Sequence, residues 1–243
     1  MNSNVILSLF RLEFLRLRYI IAFLLLLPII ILSIAYLPTS ILYLTGIVYY
    51  RSTLAVIYPL IPFIAALLLG SGMISEDAEN NTLLNLLALP VKRSRLWAVR
   101  HLFRGVLLCL VLLLWYIFNT VSVHWILNRY LKSSLKSDKI ILFLLVAGLI
   151  YVLSSVFSIM MENNFSSILS GFSGGLVTIF IIRKSPLAYP HYEWLLLFSI
   201  VYFLIVSLDL FTCGHPIGFR SLYKRFALWV IIYLSILFIP CIF

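Results

Sequence analysis

Apolar residues in this chain gather in long unbroken runs, without the alternation of a half-buried strand. Six runs cover about residues 19–37, 54–74, 105–123, 140–161, 165–182 and 192–211, and a weaker one covers 226–243. About 20 apolar residues cross the roughly 30 Å of bilayer hydrocarbon as one helix. Each run is predicted as a helix, because lipid offers no partner to backbone N–H and C=O groups and a helix pairs them internally. Pro28, Pro59 and Pro62 interrupt the first two runs, which membrane helices tolerate. The pattern predicts an all-α polytopic integral membrane protein with six transmembrane helices and a weaker seventh at the C-terminal end. Residues 1–243 read as a single membrane domain with no soluble domain left over.

Composition agrees, since 63% of residues are hydrophobic, 11% are charged and the mean hydropathy is +1.13, outside the range of soluble domains. No cleavable signal peptide is expected: the first run is long, follows "RLEFLRLR" and lacks a small-residue cleavage site. The net charge of +10 reports topology in a membrane protein and does not call for nucleic acid as a partner. With residues 1–18 cytoplasmic, eleven of the 18 basic residues fall inside: Arg11, Arg16, Arg18, Lys92, Arg93, Arg95, Arg100, Arg104, Arg220, Lys224 and Arg225. The outer segments hold the other seven, among them Arg129, Lys132, Lys136 and Lys139. The bias predicts a cytoplasmic N-terminus in a multi-pass protein of the cell membrane.

Most site chemistries are excluded. Cys109, Cys213 and Cys241 are scattered, as are His101, His124, His191 and His215, so neither a disulfide framework nor a metal site is expected. No GxxxxGK[ST] loop is present to cradle a nucleotide triphosphate, so the chain is expected to bind no cofactor itself. The serines of "NNFSSILSGFSGG" have no base at an activating spacing. Within that stretch Ser167, Gly171 and Gly175 recur every four residues, a small-residue stripe that lets two membrane helices approach closely. Of the acids near spans, Glu162 falls in a tight connection, and Asp209 lies near enough to the end of its run to reach water or the basic 220–225 segment.

The longest polar connection is "SEDAENNTLLNLLALPVKRSR", residues 75–95. Leu83, Leu86 and Leu87 share one helical face, Asn81 or Thr82 is placed to cap it, and the acids precede its positive end. Pro90 ends it, because the residue before a proline is pushed out of the α region. Ser94 is placed to cap the next helix. A short helix lying along the cytoplasmic membrane surface between spans 2 and 3 follows.

This stretch resembles the loop between the second and third spans of the membrane subunits of ABC-2 type ABC transporters. That loop reads as alternating acids, Gly-Thr, a leucine-rich turn, Pro, a basic or Ser-Arg pair, and a basic residue some ten positions later. The corresponding residues are Asp77, Glu79, Asn81, Thr82, Leu86, Leu87, Pro90, Arg93 and Arg100, with Asn81 in place of the glycine. Asparagine shares with glycine a tolerance for left-handed backbone. The leading "FRLEFLRLR" and the six-span layout are also similar, and the haem-exporter B-type permeases form a related branch with a similar loop. The resemblance implies a permease subunit, not itself an enzyme, that exports its substrate when this coupling helix docks on a separate cytoplasmic ABC ATPase subunit. It further implies a second permease copy or paralogue as partner, ATP bound only by the ATPase subunit, and membrane lipid around the spans. Two alternatives stand beside it: a non-transporting assembly or immunity protein that binds a partner through the same segment, and an integral membrane lipid-modifying enzyme.

Overall fold

A computed structural model describes residues 3–35, 60–75, 77, 91–125, 137–161, 163–185, 188–213 and 219–238. These residues form seven helices and no strand: α1 (Ser3–Ala35), α2 (Ile61–Ser71), α3 (Arg93–Trp125), α4 (Ser137–Met160), α5 (Asn164–Lys184), α6 (Ala188–Cys213) and α7 (Phe219–Phe238). Five helical stretches among them are long and apolar enough to cross a membrane: Arg93–Ile117, Ile140–Met160, Asn164–Lys184, Tyr192–Cys213 and Ser221–Phe238. The helices are those of a membrane protein. The second apolar run is described only from Leu60 onward.

The bundle is built around α4, which packs on α2, α5 and α6. Its middle is buried on every side, with Leu149, Ile150, Val152, Leu153, Val156 and Ile159 all enclosed, as expected of a helix apolar around its whole circumference. α1 packs on α3, and α3 closes the bundle against α2 and α6. The outer helices instead turn apolar side chains outward, such as Phe165, Leu169, Leu176 and Phe180 on α5 and Leu228 and Ile231 on α7.

The small stripe of α5 lies at the tightest crossing. Ser167, Gly171 and Gly175 are all buried. A Cβ at Gly171 would press on Ser154 Oγ and stand 2.7 Å from Ser154 Cα, and one at Gly175 would stand 3.0 Å from Ile150 Cγ1. From the other side, a Cβ at Gly70 of α2 would press on Tyr151 O and stand 2.7 Å from Ser154 Cβ. Three backbones therefore converge on Ser154, a contact that only Cβ-free positions permit.

Three helices start well before their apolar runs. α1 begins at Ser3, sixteen residues before the run at 19. α3 begins at Arg93, twelve residues before the run at 105, because its buried arginines find partners; α7 begins at Phe219, before 226, because Arg225 pairs with Asp209. Lys92 precedes the first turn of α3, its carbonyl accepting from Arg95 N at 2.9 Å and Leu96 N at 3.1 Å. Ser94 thus lies within that turn and not at the cap. At α5, Asn163 is the cap, accepting from Phe165 N at 2.7 Å.

Candidate functional site

On α1, Leu9, Glu13 and Leu17 follow one another at four-residue spacing and are all buried. One helical face thus carries a carboxylate inward between two leucines. On α3, Arg100 and Arg104 are likewise one turn apart and buried. The packing of α1 on α3 brings the acid and the two bases together. Arg100 Nε lies 2.8 Å from Glu13 Oε1, close as an ion pair but without hydrogen-bond alignment. Arg104 reaches Glu13 Oε2 through both Nε and Nη2, each at 3.3 Å.

The third element is the C-terminal end of α2. Helix ends leave carbonyls without intrahelical donors, and that end carries partial negative charge. Here Arg104 Nη1 donates to Leu69 O at 3.0 Å, and Arg100 Nη1 donates to Met73 O. Asp77 then closes the cluster: its Oδ2 lies 2.7 Å from Arg100 Nη1 and its Oδ1 2.7 Å from Arg16 Nη2. Among the described residues, three arginines thus meet two carboxylates.

Burial this deep makes the cluster a stringent constraint. Glu13 is 2% exposed, Arg100 1% and Arg104 0%. Taking such ions out of water costs several kcal/mol each, and removing one partner of a buried pair costs about 3–5 kcal/mol because the other is left uncompensated. For the Asp77 carboxyl, burial alone pushes the pKa up. The hydrogen bond from Arg16 and the charges of Arg100 and Arg16 outweigh that and hold it below its ordinary value of 3.8.

A neutral polar network lies beside the ionic one. His101, one residue on from Arg100, places Nδ1 3.1 Å from Tyr151 Oη and Nε2 3.2 Å from Ser207 Oγ; Ser207 also accepts from Trp97 Nε1 at 3.1 Å. Ser158 Oγ accepts from Ile74 N at 2.7 Å and Ser75 N at 3.0 Å, holding the chain after α2 against α4. Asp209 takes a two-pronged contact from Arg225, at 2.6 and 2.8 Å, and a hydrogen bond from Trp229 Nε1 at 2.9 Å. Asp209 therefore reaches the 220–225 segment. Among the described residues no group of three His, Cys, Asp or Glu side chains converges as a metal site.

Of the residues singled out in the 75–95 segment, the structure joins Asp77 to Arg100 and places Arg93 half-buried in the first turn of α3. Glu79, Asn81, Thr82, Leu86, Leu87 and Pro90 lie outside the described residues, as does Glu162. Glu13 was not legible as a site residue: it sits among Arg11, Arg16 and Arg18, which hydropathy and charge counting read only as topology. Its signal was its place between Leu9 and Leu17 on one helical face, matched by the four-residue spacing of Arg100 and Arg104. His101 had no such signal, because Tyr151 and Ser207 are remote in sequence.

No family model, curated protein or solved structure matches the chain.

Proposed function

We propose that this chain is the membrane-spanning permease subunit of an ATP-driven exporter of the ABC-2 type, docked through residues 75–95 onto a separate cytoplasmic ATPase subunit. One observation carries the mechanical half of this reading: Asp77, at the root of that segment, is tied by Arg16 to α1 and by Arg100 to α3, each at 2.7 Å. A docking helix delivers work to the spans only through a stiff connection, and a buried ion cluster supplies one. The sequence supports the other half, in the pattern of Asp77, Glu79, Asn81, Thr82, Leu86, Leu87, Pro90, Arg93 and Arg100.

In this mechanism ATP binding draws two ATPase subunits together and the docked segments follow. Each segment pulls on α1, α2 and α3 through the Glu13–Arg100–Arg104–Asp77–Arg16 cluster, and two paired permease subunits change the side to which their path opens. The chain binds no nucleotide; the partner subunit supplies the energy. The N-terminus is cytoplasmic and the membrane is the cell membrane, in keeping with the eleven basic residues assigned inside.

Affinity purification of the full chain tests the reading. The parent is expected to bring down a P-loop ATPase, and Leu86→Asp with Leu87→Asp is expected to lose it while still inserting into the membrane. Retention of the complex by that variant would remove the leucine face as the docking element. A different, non-nucleotide-binding partner would favour the assembly or immunity alternative.

A further inference from the structure

The half of α1 that carries Glu13 inward presents a different face outward. Leu7, Arg11, Phe14, Leu15 and Arg18 recur at the three- and four-residue spacing of one helical face. All five are exposed, Leu7 at 74% and Phe14 and Leu15 at 52% and 51%. The side toward the bundle is separate, marked by buried Leu9, Glu13 and Leu17 and by Phe10, whose ring meets that of Phe103 on α3. The outward face thus carries two cations and apolar side chains and no acid, because the only acid of α1 is turned inward and paired.

The level of this face follows from its neighbours. Arg16 bonds Asp77, and Ser75 Oγ lies 3.3 Å from Asn164 Oδ1, where α4 has just ended and α5 begins. A turn between two membrane-crossing helices sits at the bilayer surface, so residues near 16–18 of α1 do too. Arg18 is arranged to suit that level: Nη2 donates to Tyr19 Oη at 2.8 Å and its guanidinium carbon lies 4.6 Å from the Tyr19 ring centroid. An exposed tyrosine at the edge of an apolar helix is an interfacial anchor. α1 continues from there through the apolar residues 20–35 as one helix.

We infer that the Leu7–Arg11–Phe14–Leu15–Arg18 face of α1 is a binding surface for anionic phospholipid, with Arg11 and Arg18 engaging headgroup phosphates. Phe14 and Leu15 lie between the two arginines, at the level of the headgroups. The arginines stand seven residues apart, about 10 Å along the helix, so adjacent headgroups are within reach of the pair. Cationic and apolar side chains on one interfacial face combine surface attraction with burial, each basic residue near an anionic surface adding about fivefold in affinity. This inference needs only the membrane location and is independent of the ATPase partner.

The full chain in mixed micelles, titrated with phosphatidylglycerol or phosphatidylcholine and read by native mass spectrometry, tests it. The parent is expected to retain phosphatidylglycerol over phosphatidylcholine, with the preference falling as salt rises. Arg11→Gln with Arg18→Gln is expected to lower that retention about 25-fold, and Arg11→Lys with Arg18→Lys to keep most of it. Equal retention of the two lipids by the parent, or unchanged retention by the double glutamine variant, would overturn the inference. So would a protein that leaves the parent only on the glutamine substitutions without any change in lipid.

Discussion

Arg100 Nη1 and Asp77 Oδ2 lie 2.7 Å apart, with Arg100 1% and Asp77 3% exposed, and the pair joins the root of the 75–95 segment to the third helix. Through its Nε and Nη1 the same guanidinium also meets Glu13 of α1 and the Met73 carbonyl beyond α2. One side chain therefore binds three parts of the fold that are far apart in sequence. Its planar fork of donors is what makes this geometry available, and lysine offers no equivalent.

Glu13→Gln is expected to lower stability by about 3–5 kcal/mol, since Arg100 and Arg104 would keep their charges in a buried place. Adding Arg104→Gln should recover part of the loss. Thermal unfolding in detergent checks both variants, and an unchanged midpoint for Glu13→Gln would show that the cluster is not a constraint on the fold.

The Asp77 carboxyl titrates below its ordinary value of 3.8 in the folded protein. A group whose folded pKa is depressed contributes stability that is complete above the unfolded value and is lost as pH falls through the folded one. The parent should therefore hold this contribution from neutral pH down to about 5 and lose it below about 4. Asp77→Asn should be less stable at neutral pH and should lose stability less steeply in acid, as unfolding midpoints across that range would reveal.

Gly171→Ala should cost about 1–3 kcal/mol, because its Cβ would meet Ser154 Oγ and stand 2.7 Å from Ser154 Cα, and backbone cannot move aside cheaply. Gly105→Ala is the control. A Cβ there meets nothing within 4 Å, so alanine should stabilise α3 by up to about 1 kcal/mol through helix propensity. Equal effects at the two positions would contradict the close crossing at Ser154.

The sequence disclosed the elements that lipid dictates and concealed those that distant partners dictate. The runs 140–161, 165–182 and 192–211 fall on α4, α5 and α6 with ends shifted by a few residues, because a helix long enough to cross hydrocarbon is almost continuously apolar, whether it faces lipid or the middle of the bundle. Asp209 reaching the 220–225 segment was legible too, since only sixteen residues separate it from Arg225. Arg100 and Arg104 read only as cytoplasmic charge: the carboxylate that neutralises them is ninety residues away on α1, and no local pattern announces it. For the same reason the hydropathy run placed the start of α3 too late. The acids of the 75–95 segment were visible, whereas the burial of Asp77 depends on packing that no local pattern reveals.

A cysteine replacing Ser94, in a background without the native cysteines, should react with an impermeant maleimide only after the cell membrane is opened. Labelling in intact cells would invert the proposed orientation and place the 75–95 segment beyond the reach of a cytoplasmic ATPase.

Site-specific cross-linking from residue 87 tests the central claim most directly. With Leu87→Cys in the same background, a short bifunctional maleimide reagent applied to membranes should join the chain to a second protein, identified by mass spectrometry as a P-loop ATPase. A cysteine at Arg183, at the other end of α5, should give no such product. A cross-link to a protein without a nucleotide-binding motif, or the same ATPase captured equally from both positions, would contradict the assignment of this chain as the permease of an ATP-driven transporter.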